Sequence, residues 1–250
     1  VADDNAINRE VIIEVLRQLG ITVDTAFNGR EAVEAWRRQK PDLIFMDCSM
    51  PELDGYAATR EIRAHEALDI AGGHTPVIAL TAHVAGSDAD TWRHAGMDAY
   101  MTKPFTLKAI TGCLEANFSG KPFAQPVAEA QDASEGEAVL DPATIADLKN
   151  IGGSDALFRR VLDLFAGRVP QAIEKVEQMS GGEDLAALAD AAHALKSMCA
   201  NIGALRAVSA CHDLEHAART DQDFEAGEKM AAITREIRRA MAEVERLRAV

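Results

Sequence analysis

Along the first half of the chain the hydrophobic positions change period several times. In VIIEVLRQLG (11–20), Ile12, Val15, Leu16 and Leu19 share one side of a helix. ITVDTAF (21–27) predicts a short strand and GREAVEAWRRQK (29–40) a second helix. DLIFMD (42–47) is a short apolar run, as expected of a strand buried on both faces. A helix follows around 55–67. Then come a strand in TPVIALTA (75–82), a helix in DADTWRHAG (88–96), a strand in AYMTKPF (99–105) and a helix in TLKAITGCLEANF (106–118). Strands separated by helices predict an α/β domain with a parallel sheet covered on both faces.

Residues 119–138, SGKPFAQPVAEAQDASEGEA, lose this periodicity and read as a flexible linker between a domain at 1–118 and another at 139–250. A linker of this length spans about 25 Å, enough for the flanking domains to meet. After Leu140 only helical patterns remain. One starts at DALFRRVLDLF (155–165) and continues past Pro170 to Met179. Others run from about Leu185 to Ile202, from Ala204 to Arg219, and from about Asp223 to the end, where Met230, Ile233, Ile237, Met241 and Val244 form a stripe. Long amphipathic helices joined by short turns predict an antiparallel helical bundle.

The formal net charge of -14 over 250 residues disfavours direct contact with nucleic acid or an anionic membrane surface. No apolar run is long enough to span a membrane, and no signal peptide is visible. The four cysteines, Cys48, Cys113, Cys199 and Cys211, form no CxxC pair and read as free cytosolic thiols. No Gly-x-Gly-x-x-Gly loop or Walker lysine motif offers an ATP site. The chain opens on Val1 and reaches Asp3-Asp4 at once, as if cut from a longer one.

In a doubly wound sheet, functional groups gather at the carboxyl ends of the strands. That rule selects Asp3 and Asp4, Asp47, Thr81 and Lys103. Carboxylates at close range repel unless a cation sits among them, and a hard, oxygen-seeking ion such as Mg2+ suits them. A lysine and a threonine hydroxyl beside them suit a phosphoryl group held on an aspartate.

In the helix over 185–202, Leu185, Leu188, Ala192, Leu195, Cys199 and Ile202 form one stripe. His193 falls more than a right angle from its middle at about 100° per residue, so it is expected to face water or the rim. Its neighbours there, Ala189, Lys196, Ser197 and Ala200, are mostly small, an open platform that a second protein can approach. Imidazole is a good nucleophile near neutral pH. Lys196, one turn away, attracts a phosphoryl group. A rival is a metal site at His212 and His216, with Asp213 and Glu215 nearby; the paired Glu-x-x-His motifs of di-iron bundles are absent. His65, His74, His83 and His94 show no evident partners in the sequence.

Residues 3–117 resemble a response-regulator receiver domain, through ADDNAINRE (2–10), FMDCSMPELDGY (45–56), ALTAH (79–83) and MTKPF (101–105). The resemblance implies a flavodoxin-like, doubly wound, five-stranded parallel sheet in the order 2-1-3-4-5. It makes Asp47 the phosphoacceptor. Asp4 binds Mg2+ directly, Asp3 through water, and the Ser49 backbone carbonyl completes the protein ligands. Thr81 and Lys103 hold phosphoryl oxygens, Tyr100 is a conformational switch, and the Lys103-Pro104 bond is cis. Only Val1 and Ala2 stand where the first strand belongs, so the natural chain is expected to extend upstream. Residues 139–250 resemble a histidine phosphotransfer domain, through HALKSMCANIGA (193–204), LDPATIADL (140–148) and CHDLEHAAR (211–219). By that resemblance His193 is the phosphoacceptor and Lys196 its helper, with Ser197 where the family usually has glycine.

Together the halves resemble the C-terminal part of a hybrid sensor histidine kinase. The resemblance implies a phosphorelay between an upstream histidine kinase domain and a downstream response-regulator receiver domain. Two alternatives are an aspartyl-nucleophile, haloacid dehalogenase-like phosphatase and an interaction scaffold that carries no phosphate. The phosphatase requires an aspartate where Ser49 stands, and the intact set of acids, threonine and lysine argues against the scaffold.

Overall fold

A computed structural model of the chain describes residues 1–68, 73–81, 91–103, 105–119, 138–151, 155–182, 184–220 and 225–249. The chain divides into two compact units, Val1–Ala128 and Glu129–Val250. Most of the expected linker, 120–137, and with it His83 and Pro104, lie outside the described residues.

The first unit is α/β. Its elements are α1 (Ala6–Gln18), α2 (Gly29–Gln39), β1 (Ile44–Asp47), α3 (Gly55–Leu68), β2 (Val77–Thr81), α4 (Thr91–His94), β3 (Ala99–Thr102) and α5 (Leu107–Ser119). The helices start where polar side chains can cap them. Asn5 accepts from Ile7 N at 2.9 Å and Asn28 from Glu31 N at 2.8 Å. All three strands are parallel, in the order β1-β2-β3, with Asp47 opposite Leu80 and Thr81 opposite Thr102. Every residue of β1 is buried, as its short apolar run predicts. Helix α1 packs against α5, and α2 against α3, the two helix pairs of a doubly wound sheet.

The strand expected over 21–27 is not formed, and among the described residues the sheet has three strands instead of five. Ala2 makes isolated parallel bridges to both Ala26 and Met46. Its N–H donates to Phe45 O and its carbonyl accepts from Asp47 N, both at 2.8 Å. Ala26 N donates to Val1 O at 3.0 Å. The extended stub at Val1–Asp3 thus lies between the two segments, as the first strand of the expected order would. It offers too few ladder positions to hold 21–25 as a strand.

The second unit is helical: α6 (Pro142–Asn150), α7 (Asp155–Ser180), α8 (Leu185–Asn201), α9 (Leu205–Thr220) and α10 (Ala226–Arg248). Asp141 caps α6, accepting from Thr144 N at 2.8 Å, and Pro142 fills the first turn. Helix α7 is continuous through Pro170. Each of α7, α8, α9 and α10 packs on the next, and α10 returns to α7, closing a four-helix ring. Val161, Phe165, Leu195, Leu214, Ile233 and Val244 fill its core. No described helix is long and apolar enough to cross a membrane.

The turn between α8 and α9 depends on Gly203. Its φ is +73°, and a Cβ there would lie 2.9 Å from Thr144 Cβ and 3.0 Å from Asp141 Cβ, at the start of α6. Gly203→Ala is therefore expected to destabilise the helical unit by about 1–3 kcal/mol in urea unfolding followed by circular dichroism. Gly167→Ala, where an added Cβ meets nothing within 4 Å, is expected to stabilise it by about 0.5–1 kcal/mol. Equal effects of the two substitutions would contradict this account.

Candidate functional site

Two groups of charged side chains stand out, one in each unit. The first lies at the carboxyl edge of the sheet. Asp47 ends β1, Lys103 follows β3, and Asp3 and Asp4 follow the Ala2 bridge. Lys103 Nζ lies 2.6 Å from Asp47 Oδ2 and 3.1 Å from Asp3 Oδ2, with only 3% of its side chain exposed. Asp3 also accepts from Asn5 N at 2.8 Å and from Asn8 Nδ2 at 2.8 and 3.0 Å. Asp4 joins these acids: oxygens of Asp3, Asp4 and Asp47 all lie within 4.8 Å of one another.

Backbone packing sets this geometry. The Ser49 N–H donates to Asp47 Oδ1 at 3.2 Å. The chain then turns so that Gly55 N reaches Cys48 O at 3.2 Å. A Cβ on Gly55 would stand 2.0 Å from the Asp47 carbonyl oxygen, so only glycine permits this approach. Thr81, at the end of β2, accepts through its carbonyl from Lys103 N at 2.9 Å. Tyr100, in β3, is half-buried with its ring 5.4 Å from that of Trp92.

Burial, with the Asp3 carboxylate beside it, pushes the Asp47 carboxyl well above its ordinary range, against the pull of Lys103. Burial alone would lower the Lys103 pKa, but Asp3 and Asp47 more than offset it and raise it. Three carboxylates face one ammonium here. Such an oxygen-only donor set fits a hard divalent cation, which would relieve the acid–acid repulsion.

The second group lies between α8 and α9. His193 Nδ1 is 2.8 Å from Glu215 Oε1, and Lys196 Nζ is 2.5 Å from Glu215 Oε2. Arg219 stands 3.5 Å from the same carboxylate. Burial would raise the Glu215 pKa, but its hydrogen bond to His193 and the charges of His193 and Lys196 bring it down to about 2. In the neutral ring, a carboxylate accepting at Nδ1 places the proton there and leaves the lone pair on Nε2.

The open platform expected around His193 is corrected. Ala189, Lys196 and Ser197 are buried, and His193 and Ala200 are half-buried. The physical reason is that α8 packs on both α7 and α9, and its alanines let both helices come close. Among the described residues the buried Ser197 hydroxyl has no hydrogen-bond partner, while its carbonyl accepts from Asn201 Nδ2 at 2.9 Å.

Glu215 is the member of this charged group that sequence reasoning missed, seen there only as a neighbour of His212 and His216. Its signal is an acid beside Leu214, on the flank of the apolar stripe of α9. Among the described residues, Asp3, Asp4 and Asp47 form the one gathered group of three or more possible metal ligands. His65 and His74 do have partners, contrary to expectation: His65 meets Arg37 and Glu61, and His74 lies 2.5 Å from Asp98. All four cysteines are free and buried.

Residues 1–115 match the family model of the response regulator receiver domain, and residues 160–248 that of the Hpt domain. Signal transduction histidine-protein kinase BarA of Shigella flexneri is 29% identical over 232 residues, covering 89% of this chain and 24% of that protein. Peroxide stress-activated histidine kinase mak1 of Schizosaccharomyces pombe is 37% identical over 113 residues, covering 44% of this chain and 7% of that protein. The chain thus spans a quarter or less of the length of these relatives. Among solved structures, the receiver domain of sensor histidine kinase PA1611 from Pseudomonas aeruginosa PAO1, with magnesium in its active site cleft, is 41% identical. That match covers 47% of this chain and 93% of the other, with a TM-score of 0.43.

The charge arrangement on α9 has a pH signature. Glu215 titrates near 2 in the folded chain and near 4.5 when unfolded. A depressed folded pKa gives stability that is complete above pH 4.5 and lost as pH falls towards 2. Glu215→Gln is expected to unfold more easily at neutral pH and to lose less stability across that acid window. Parallel pH–stability curves for the two proteins would count against the assignment.

Proposed function

From the premise that this chain belongs to the two-component phosphorelay proteins, with a receiver domain at residues 1–115 followed by an Hpt domain at 160–248, we propose that Asp47 and His193 are its two phosphoacceptors. The observation that carries this reading is the matched pair of nucleophiles. An aspartate at a strand end stands beside a buried lysine, and an imidazole has its Nδ1 tied to Glu215, leaving Nε2 to react.

At the first site an Asp47 oxygen attacks the phosphorus of a phosphodonor. A P–O bond forms to Asp47 and the donor's bond to phosphorus breaks, its electron pair leaving with the donor. Asp3, Asp4 and Asp47, with the Ser49 carbonyl, hold Mg2+ in this proposal. When bound, the ion supplies positive charge that keeps Asp47 ionised and offsets the incoming oxyanion. Lys103 neutralises phosphoryl oxygens, the Thr81 hydroxyl donates to one of them, and Tyr100 senses the change.

At the second site the Nε2 lone pair of His193 attacks the phosphorus of an aspartyl phosphate. The N–P bond forms, the P–O bond breaks, and the aspartate leaves as a carboxylate. No proton has to move, because Nδ1 keeps its hydrogen and Glu215 stabilises the positive charge that develops on the ring. Lys196, held by the same carboxylate, attracts the phosphoryl oxygens. The reverse transfer uses the same contacts.

The larger assembly is part of the proposal. A histidine kinase domain upstream supplies the phosphoryl group, and the receiver domain of a response regulator accepts it, in the cytoplasm. The similarity to BarA over 89% of the chain supports a hybrid-kinase parent, and four free buried thiols fit a reducing compartment.

With Mg2+ and acetyl phosphate, wild type is expected to gain one phosphoryl adduct by intact mass, part of it acid-labile and alkali-stable. Asp47→Ala should abolish the adduct. His193→Ala should remove only the alkali-stable part. An adduct indifferent to both substitutions would sink the relay reading. Glu215→Ala should leave Asp47 phosphorylation intact but slow transfer at His193 by roughly tenfold or more, the worth of one hydrogen bond to a charged group. Unchanged transfer would remove Glu215 from the mechanism.

A further inference from the structure

We propose that His212 and His216 on α9 form a chelating pair for a borderline divalent transition ion such as Zn2+. Both side chains are exposed and stand one helical turn apart. Their ring centroids are 6.2 Å apart and the rings are inclined by 55°. Two histidines at this spacing on one helix face can ligate a single ion. With zinc–nitrogen bonds of about 2.0–2.1 Å, each ring centre lies about 3 Å from the metal, so the rings need separations of about 5–6 Å. Rotation of exposed side chains closes the small difference.

A second observation orients the pair. The Thr220 hydroxyl donates its one hydrogen to the His216 carbonyl at 2.7 Å. Its contact with His216 Nδ1, at 3.4 Å, is therefore one in which Nδ1–H donates to the hydroxyl oxygen. That tautomer leaves the Nε2 lone pair for a metal, and a hydrogen bond on the other ring nitrogen is the usual support of a ligating histidine. His212 adds the second imidazole, and Asp213 and Glu215 add negative charge nearby, partly offset by Arg219. The nitrogen donors separate this pair from the oxygen-only cluster at Asp3, Asp4 and Asp47, which suits a harder ion.

The pair shares the face of α9 that carries Glu215, at 212, 215, 216 and 219. Zn2+ held there occupies the surface beside the carboxylate that ties down His193. It is expected to slow phosphoryl transfer at His193. This consequence rests on the relay reading; the metal site does not.

The test is a titration of the full chain with Zn2+ against a chromophoric chelator, with millimolar Mg2+ present to fill the acidic cluster. Ring-nitrogen NMR shifts are followed in parallel. Wild type is expected to bind one equivalent, with the Nε2 signal of His216 shifting. His212→Ala and His216→Ala should each abolish binding, Thr220→Val should weaken it about tenfold, and His193→Ala should retain it. No saturable binding, or binding that survives both histidine substitutions, overturns the site. Binding as expected, with transfer from a phosphorylated receiver equally fast with and without Zn2+, overturns only the consequence.

Discussion

The carboxyl edge of the sheet depends on keeping an ammonium group ionised where almost no water reaches it. Lys103 is 3% exposed at its side chain and sits between Asp47 and Asp3. Burying a charge costs several kcal/mol unless partners replace its water, and removing one member of such a pair costs about 3–5 kcal/mol. Three chain segments must therefore end together: the stub through Ala2, β1 at Asp47, and β3 just before Lys103. The backbone bonds Asp47 N to Ala2 O and Lys103 N to Thr81 O fix that register. The close approach of Gly55 to the Asp47 carbonyl fixes the turn beyond it.

The helical unit solves the same problem with the signs reversed. There a carboxylate is the central ion, and His193 and Lys196 flank it from one helix while it extends from another. One acid thereby orients both side chains that, on the proposed relay, a phosphoryl group meets. It fixes the ring tautomer, and it holds a flexible lysine near the ring at a reduced entropic cost. The alanines of α8 serve this arrangement, since a bulkier helix would hold α9 too far away for Glu215 to reach across.

Much of the first site was legible because its residues occupy strand ends, and strand ends are marked by short apolar runs. IFMD and VIALT form strands where the pattern places them, and Asp47 and Thr81 fall at their last positions. The segment 21–27 misled because a β pattern becomes a strand only if ladder partners exist, and among the described residues only Val1–Asp3 pair with it. His193 was legible as a residue off the main apolar stripe. Its true surroundings were not, because a helix wedged between two neighbours buries more than one stripe, and alanine marks such a face weakly. Glu215 lies 22 residues from His193, and no local pattern reports a contact that tertiary packing creates.

The balance of charge at the two sites bears on how a phosphoryl group can move between such domains. At the sheet edge, three carboxylates face one ammonium, so an incoming oxyanion meets net repulsion until a cation is added. Between α8 and α9, Glu215 and Asp190 face Lys196 and Arg219, with Arg219 3.3 Å from Asp190 and 3.5 Å from Glu215, so the fixed charges near His193 balance without an added cation. On the proposed relay, phosphate chemistry at Asp47 is thus conditional on a bound divalent ion, while chemistry at His193 is not. An acyl phosphate loses a carboxylate readily when the electron pair returns to an aspartate that Lys103 and a cation stabilise. A phosphoimidazole instead keeps its ring charge matched by Glu215. In that proposal the aspartate site is the one at which gain and loss of phosphate respond to the ionic surroundings. In that proposal the histidine site holds the group in transit, with Glu215 as a counter-ion in place before the group arrives.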